Sequence, residues 1–417
     1  MTIRGLVWCG AAALVVASMP AGRAQQAVIR SSTDLISVDV QVVDRDGHPV
    51  DNLKADQFDV QIAGKKRTVQ LVDFVRTTTA PSSPGPFVPS SPRPVVASPP
   101  GPSSPSRRQM FMIAIDAQSF FQTETRGIAV TAQSFVKSLA PEDIAGLYTY
   151  PLGPKVEPTT DRGALNAALE HVTGQREPQA TYQFNVRDSE IVDYFANGED
   201  QGRLRSPTES IVSRYCPDRD VSCVQRFRME MATRTGLLEA QAHADLGGLR
   251  DLIAGMGKID GRKILVLVSA GLTISDRPGG RPDVGNLPID VGEACARANV
   301  SLYTLFVDNS VLSRFSAETR QAAKSQVGMA RDADVAERSL DLFTGAAGGT
   351  VMKILTGNGE QAFGRVRNET SAYYLLGVDA TGADRTDKPL PIVVKVKGKG
   401  LTVRSRAWVV VPKAGGA

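Results

Sequence analysis

Two kinds of hydrophobic pattern run along this chain, and they predict two kinds of sheet. Residues 35–43 alternate apolar and polar side chains, and residues 58–62 and 68–75 do the same. An alternation with a period of two predicts strands that bury one face, as in an antiparallel sheet. The pattern returns at the end of the chain, at residues 373–378, 391–396 and 401–410. Three strands alone do not close a stable sandwich, so we predict one β-sandwich built from both ends of the chain.

The middle of the chain shows continuous apolar runs separated by helical patterns. The runs are residues 110–115, 144–150, 263–269 and 301–308. Apolar positions at helical spacing follow at residues 128–139, 165–172 and 237–256. Buried strands that alternate with helices predict parallel β-α-β units, which build an open, doubly wound, mostly parallel sheet. We therefore predict an α/β domain inserted between the two β segments, with any ligand at the carboxyl ends of its strands.

Proline marks the boundary between the first β segment and the α/β domain. Ten prolines lie between Pro81 and Pro105, with almost no charge around them, which is typical of an extended linker. We place the linker at residues 77–108, between an N-terminal β segment at 28–76 and the α/β domain at 109–370. The C-terminal β segment is placed at residues 371–412.

Residues 1–24 have the pattern of a secretory signal peptide. Arg4 precedes an apolar run from Leu6 to Met19, and small residues stand at Gly22 and Ala24 before the expected cleavage site. This run is too short to cross a bilayer, which takes about 20 residues. No later stretch is long and apolar enough to span, so we expect no transmembrane segment and a secreted or periplasmic location.

Charge and composition narrow the function classes. The chain has 48 Lys and Arg against 44 Asp and Glu, a net charge of +4, and no nucleic-acid binding is expected from so even a balance. With only three histidines, a histidine-rich metal site is excluded. Cys216 and Cys223 bracket a short polar loop, and in an oxidising compartment we expect them to form a disulfide; two free thiols are the alternative.

Several phrases of the sequence resemble a known family. Asp116 at the end of the first central strand, together with residues 135–143 and 261–269, is similar to a von Willebrand factor type A (VWA) domain. Residues 42–60 and 373–378 resemble the VWA-related secreted proteins abundant in Acidobacteria. The resemblance covers both β segments and the α/β domain. It implies a VWA fold, which is Rossmann-like, and a protein-binding function of the cell-adhesion type.

The resemblance also implies a metal-ion-dependent adhesion site. Its pattern is Asp-x-Ser-x-Ser, a threonine on a second loop and a later aspartate, which are hard oxygen ligands suited to Mg²⁺. Asp116 matches the first aspartate and Thr160 the threonine, but Gln118 and Phe120 replace the serines and Ala270 replaces the second aspartate. We therefore expect a degenerate site at Asp116, Gln118 and Thr160, with Mg²⁺ the one cofactor to consider. The alternative is a working Mg²⁺-dependent adhesion domain.

An enzymatic function has weaker support. The segment Leu267–Gly271 lacks the first glycine of the Gly-x-Ser-x-Gly turn that presents a nucleophilic serine. His171 and His243 both fall on predicted helices, so neither is placed beside Ser269 by the pattern. We predict that the protein is not an enzyme, with a hydrolase as the third alternative.

A long insert interrupts the α/β pattern at residues 174–230. It carries aromatic side chains that we consider as partner-binding residues, namely Tyr182, Phe184, Tyr194, Phe195 and Tyr215. The insert is either a packed decoration or a cap that binds a protein partner through these anchors. Because the helix at residues 162–172 follows a strand, we expect it to run back toward the amino ends, so that the insert must return to the carboxyl ends.

Overall fold

The strands at the N-terminal end follow the alternation of the sequence. The computed structural model describes residues 35–77, 108–176, 182–184, 186–196, 207–309, 326–355 and 359–413, all within one compact unit. The predicted signal peptide and most of the predicted linker lie outside these residues. Four strands are described before the linker: β1 (Leu35–Val43), β2 (Phe58–Ile62), β3 (Lys65–Arg67) and β4 (Val69–Arg76).

Six strands of the described chain form the sheet of the α/β part. They are β5 (Met110–Asp116), β6 (Ile144–Tyr150), β7 (Lys155–Thr159), β8 (Lys263–Ser269), β9 (Val300–Val307) and β10 (Thr350–Ile354). Their order is β10-β9-β8-β5-β6-β7, and all neighbours are parallel except β7, which is antiparallel to β6. Every position of β5 and β8 is buried, as their continuous apolar runs predict.

Helices cover both faces of this sheet. The helices of the described chain are α1 (Thr125–Ser138), α2 (Arg162–Glu170), α3 (Asp188–Phe195), α4 (Pro207–Tyr215), α5 (Val221–Met256), α6 (Leu287–Ala298), α7 (Gln326–Ala346) and α8 (Gly359–Thr370), of which α3 and α4 belong to the insert and not to the faces of the sheet. Side chains of α5, α6 and α7 build the core on one face, and those of α1, α2 and α8 build the core on the other. The predicted α/β class with a mostly parallel sheet and helices on both faces is confirmed.

Two details of the sequence prediction were wrong. The antiparallel edge strand β7 was not recognised, so the direction of α2 is the reverse of the one expected. The long helix was expected from Leu237, but α5 begins at Val221, where the side chain of Asp220 accepts a hydrogen bond from the Cys223 N–H at 2.9 Å. A side-chain acceptor at this position satisfies one of the free N–H groups of a first helical turn.

The C-terminal strands pair with the N-terminal ones. They are β11 (Ala372–Asp379), β12 (Pro389–Val396), β13 (Thr402–Ser405) and β14 (Trp408–Val410). One antiparallel sheet has the order β13-β1-β11-β4 and the other has β14-β12-β2-β3. Their inner faces share one apolar core, in which Val40, Val60, Tyr374 and Leu376 are buried. Both sheets therefore contain strands from both ends of the chain, as the sequence predicts.

A buried ion pair also joins the two ends. The Arg67 guanidinium on β3 donates to both carboxylate oxygens of Asp384, at 2.9 and 2.7 Å. Both side chains are almost fully buried. The hydrogen bond from Arg67 lowers the pKa of Asp384 to about 2, so the pair is charged near neutral pH.

The sandwich packs directly against the α/β part. The Trp408 indole N–H donates to the Ala346 carbonyl at 2.9 Å, and the Tyr303 hydroxyl donates to the Gln41 side-chain oxygen at 3.0 Å. A Cβ on Gly348 would lie 2.3 Å from the Ser405 carbonyl oxygen, so only glycine permits this approach. These contacts lie near the amino ends of the parallel strands, which leaves the carboxyl ends for other elements.

Candidate functional site

Asp116 ends β5 at the carboxyl edge of the parallel sheet. Its side chain is 1% exposed. One carboxylate oxygen accepts a hydrogen bond from the Ser269 hydroxyl at 2.7 Å, and the other accepts from the Ser119 N–H at 3.2 Å. Ser269 ends the neighbouring strand β8, so the parallel register of β5 and β8 brings these two side chains together. The candidate site is thus a closed group of hydrogen bonds.

The two serine hydroxyls of the site are used internally. The Ser119 hydroxyl donates to the Asp116 carbonyl at 2.8 Å and accepts from the Ala270 N–H at 2.9 Å. The Ser269 hydroxyl accepts from the Gly271 N–H at 2.9 Å. Ser119, which follows β5, was not recognised from the sequence, and Ser269 was considered only as a possible nucleophile, not as a partner of Asp116. These hydrogen bonds fix the two loops to each other.

The residues expected to surround Asp116 do not all lie there. Gln118 is half-buried beside the site, and Phe120 is fully buried in the core formed with α1, α2 and α8. Thr160 follows β7, where Thr159 pairs with Ala145 at the amino end of β6. Five residues of strand separate that end from the carboxyl edge, which is about 16 Å. The expectation that Thr160 joins Asp116 is therefore wrong, because an antiparallel β7 puts it at the opposite edge.

A different loop reaches the carboxyl edge from this side. The helix α2 begins at the amino edge and ends at the carboxyl edge, so the segment after it lies beside Asp116. The Gln175 N–H donates to the Ala117 carbonyl at 2.7 Å. A Cβ on Gly174 would come within 2.2 Å of the Phe121 carbonyl oxygen, so this contact requires glycine. Thr173, which is exposed, is the hydroxyl residue that this loop brings to the edge.

A second buried carboxyl lies near Asp116. Asp245 sits on the inner face of α5, is 3% exposed, and neither of its carboxyl oxygens has a hydrogen-bond partner. Burial, with the charge of Asp116 added, raises the pKa of Asp245 to about 8. Burial also raises the pKa of Asp116 to about 6, although Ser269 and Ser119 oppose the shift. Near neutral pH the pair therefore retains a proton, since two buried carboxylates disfavour each other's charged form.

The donor set does not fit a Mg²⁺ ion. Such an ion requires near-octahedral oxygen coordination, including carboxylate oxygens free to bind it. Both oxygens of Asp116 already accept hydrogen bonds, and Phe120 and Ala270 supply no side-chain oxygen. In the part of the chain that the structure describes, the one cluster of three ligand-type side chains is Asp44, Asp46 and His48. It is a turn in which Asp44 accepts backbone hydrogen bonds from the other two.

The insert has its own small core. A disulfide joins Cys216 at the end of α4 to Cys223 in the first turn of α5, which confirms the predicted pairing, and Cys295 is free and buried. Phe227 is fully buried at the centre, and the rings of neighbouring aromatic residues pack on it at 5.2–5.8 Å. The disulfide and this core hold α3, α4 and the first half of α5 together.

The aromatic residues considered as partner anchors belong to this core. Phe184 is buried, and Tyr194, Phe195 and Tyr215 are partly buried against it. The Tyr182 ring faces the buried Arg234 guanidinium at 4.8 Å. None of the five is exposed, so the structure corrects their assignment as partner-binding anchors and favours a packing role. Aromatic composition alone could not distinguish anchors facing inward from anchors facing a partner.

Polar contacts fix the insert over the carboxyl edge. Asp188 at the start of α3 contacts Arg234 at 3.3 Å, Arg176 at 3.5 Å and the Thr273 hydroxyl at 3.3 Å. Arg176 and Thr273 belong to the loops that follow α2 and β8, so three segments meet at one carboxylate. The Ser189 hydroxyl donates to Asp332 on α7 at 2.6 Å. The insert therefore covers the edge that carries Asp116.

The outer face of α5 is unusually apolar. Met229 is 71% exposed and Leu237 is 55% exposed. The exposed positions between residues 229 and 244 carry no Lys, Arg, Asp or Glu; they are Met229, Ala232, Thr233, Leu237, Ala240, His243 and Ala244. Their spacing of three or four residues places them along one side of the helix. We call these seven residues the α5 face.

Comparisons with known proteins leave the family open. No family model matches the chain, and no curated protein matches it. Among the solved structures that match is the pilus adhesin SpaC from Lactobacillus rhamnosus GG, at 8% sequence identity and a TM-score of 0.25. The match covers 85% of this chain and 48% of the adhesin chain, so this chain spans about half the length of that protein. A TM-score this low carries no argument about fold or function.

The buried carboxyl pair predicts how stability depends on pH. Both pKa values are raised above the unfolded value of about 3.9, so their stabilising contribution is complete at low pH and is lost as the pH rises through about 6 and about 8. We expect Asp245→Asn to raise the free energy of unfolding by about 1–3 kcal/mol at pH 9 and to change it little at about pH 3.5, where the carboxyl is protonated in both the folded and the unfolded state. Denaturant unfolding across this range measures it. Parallel curves for the wild type and Asp245→Asn would contradict the assignment, and Asp251→Asn on the exposed side of the same helix is the control.

The closed hydrogen bonds at Asp116 predict a weak response to divalent ions. Stabilisation by a ligand grows as RT ln(1 + [L]/Kd), so millimolar Mg²⁺ or Mn²⁺ should shift the melting temperature very little if the site binds them poorly. Thermal unfolding with each ion, and with a chelator as the reference, measures the shift. A rise of several degrees that disappears in Asp116→Ala would show a working metal site.

Proposed function

We propose that this chain is an exported, VWA-like protein-binding module with a degenerate metal site, and that it binds its partner through the α5 face. The α5 face is the observation that carries the proposal. The resemblance of the sequence to VWA-related secreted proteins supports the type of function. The paired cysteines are compatible with an oxidising, extracellular or periplasmic location. No helix among the described residues is long and apolar enough to cross a membrane.

An apolar stripe on an exposed helix is a typical recognition surface. Exposed helix faces in soluble proteins normally carry charged residues, and a contiguous apolar stripe marks a site where another protein packs. Methionine and leucine at helical spacing fit the apolar face of a partner segment, and methionine adapts its shape to the partner. The α5 face therefore suits a protein with an apolar patch rather than a charged ligand.

The length of α5 carries this face beyond the sheet. The helix has 36 residues, about 54 Å, whereas β8 has 7 residues, about 23 Å. Ala242 and later residues of α5 pack in the core of the sheet, whereas Phe227 and Met231 pack in the insert core. The part of α5 that precedes Ala242, about 32 Å of helix, therefore packs on the insert rather than on the sheet. Met229 and Leu237 both lie on that part.

The rest of the insert keeps this helix rigid. Phe227 and Met231 on its inner side are fully buried in the insert core, and the disulfide fixes its first turn. Arg234 is buried and donates to the Val186 carbonyl at 2.6 Å. A surface that is already ordered loses little conformational entropy on binding, so more of the contact energy appears as affinity. In this proposal the insert holds the α5 face in place, while its aromatic rings pack in the insert core.

The two alternatives have less support. A Mg²⁺-dependent adhesion domain needs oxygen ligands that Phe120 and Ala270 do not supply and that Thr160 is too distant to give. A serine hydrolase needs a histidine beside its nucleophile. The Ser269 hydroxyl instead contacts Asp116 and Gly271, and His171 contacts the Ala167 carbonyl on its own helix. Within the described residues, no histidine lies beside this serine.

Binding measurements on α5-face variants test the proposal. The partner is first recovered by the mature wild-type chain from the native envelope fraction, identified and purified. We then expect Met229→Glu/Leu237→Glu to weaken its affinity about tenfold or more, since two charges placed in an apolar contact must be desolvated. Both side chains are exposed, so thermal unfolding should change little. Val130→Glu/Ile289→Glu, which places the same charges on exposed positions of α1 and α6, is the matched control.

Two results would overturn the proposal. Equal affinity of the wild type and the α5-face variant would show that the partner binds elsewhere. Binding that requires Mg²⁺ and is lost in Asp116→Ala would support the metal-dependent alternative instead.

A further inference from the structure

A small polar cavity lies between the β-sandwich and the amino edge of the parallel sheet. Its volume is about 20 Å³. Its walls come from β1 and the segment around β13 on the sandwich side, and from the residue before β8, the first residues of β9 and the loop before β10 on the other side. It is at the opposite edge of the sheet from Asp116. The cavity is therefore separate from the candidate site and from the α5 face.

Two residues that line this cavity, Gln41 and Arg262, carry buried hydrogen-bond donors without acceptors. Gln41 is 4% exposed; its side-chain oxygen accepts from the Tyr303 hydroxyl, but its Nε2 has no partner. Arg262 is 9% exposed, and its Nε and Nη1 have no partner. The Arg262 guanidinium rests on the Tyr373 ring at 4.5 Å, which offsets part of the cost of burying a cation but accepts no conventional hydrogen bond. A buried donor without a hydrogen-bond acceptor lowers the stability of the fold, so an acceptor at these atoms would be stabilising.

The charges around the cavity do not balance. Three arginines line it, and one of them, Arg404, is neutralised by Glu369 at 2.7 Å. Arg262 and Arg406 form no salt bridge with a carboxylate of the described residues. Asp39 is the one acidic residue in the described wall. Two guanidinium groups against one carboxylate leave one positive charge uncompensated.

Size, donors and charge together define the occupant. A cavity of about 20 Å³ has room for one particle of about the size of a water molecule. A water would accept hydrogen bonds from these donors but leave the surplus positive charge, whereas an anion accepts from the donors and also cancels that charge. We propose that this cavity binds one small monovalent anion, a halide of the size of chloride.

The anion joins two parts of the fold. Gln41, Arg404 and Arg406 belong to sandwich strands or the segment beside them, and Arg262 and Tyr303 belong to the α/β part. A ligand bound only when these parts are docked stabilises the docked state by mass action. The anion is thus a structural component of the seam, independent of partner binding at the α5 face.

Thermal unfolding at constant ionic strength tests the proposal in solution. We expect sodium chloride or bromide to raise the melting temperature by about 2–5 °C over sodium gluconate, whose anion is too large for the cavity. Arg262→Met, which removes the charge and both free donors, should abolish the difference. Arg297→Met, at an exposed arginine of α6, should retain it.

Crystals of the wild type grown in bromide locate the ion directly. The expected result is an anomalous peak in the cavity, within contact distance of Gln41 Nε2 and Arg262. A water molecule there without anomalous signal would overturn the proposal, as would the same halide dependence in the wild type and Arg262→Met. If Arg262→Met does not fold, Gln41→Leu replaces it in solution, and the bromide map still decides.

Discussion

A buried, ionised carboxylate requires hydrogen-bond donors, and the donors of Asp116 come from the two loops at the carboxyl edge of the parallel sheet. Its two oxygens take the Ser269 hydroxyl and the Ser119 N–H, and the Ser119 hydroxyl in turn takes the Ala270 N–H. The loops that could have held a ligand are thereby bound to each other. These hydrogen bonds fix the loops after β5 and β8, and the insert packs on loops that are already held in place.

The antiparallel edge strand β7 decides which loops meet there. Because β7 runs against β6, Thr160 is carried to the amino edge and α2 returns the chain to the carboxyl edge. The insert therefore starts at the carboxyl edge, where Gly174 lies against the Phe121 carbonyl. Asp188 ties the insert to the loops after α2 and β8, and α5 passes from the insert down to the sheet as one helix. The proposed recognition surface and the packing against the sheet therefore lie on a single helix.

Much of the fold could be predicted from the sequence, because burial on one or both faces of a strand leaves a direct trace in the residue pattern. The alternation in β1 and β11 and the continuous run of β5 are examples. The residue pattern does not predict β7 or its direction, because this strand, residues 155–159, is short and mostly polar. The first half of α5 was missed for another reason. Its apolar residues lie on both sides of the helix, with Phe227 in the insert core and Met229 exposed to solvent, so the helical periodicity of apolar positions is lost.

The site was harder to predict than the fold. The Cys216–Cys223 pairing followed from spacing and compartment, and it is confirmed. Whether Tyr194 and Tyr215 could bind a partner depended on the direction of their rings, which the sequence does not give. Asp245 is distinguished from other helical aspartates only by its burial near Asp116, which depends on how α5 packs on the sheet. Such features depend on tertiary packing between distant segments, which local patterns do not encode.

If the carboxyl edge is closed and α5 carries the proposed contact surface, a partner protein should contact α5 and not the loop beside Asp116. Site-specific photo-crosslinking in the native envelope tests this most directly, with a photoreactive residue at Met229 in one variant and at Thr173, on the loop beside Asp116, in another. We predict a defined crosslinked partner from position 229 and none from position 173. A crosslinked partner from position 173 alone would contradict it, because the edge beside Asp116 would then be the surface that binds.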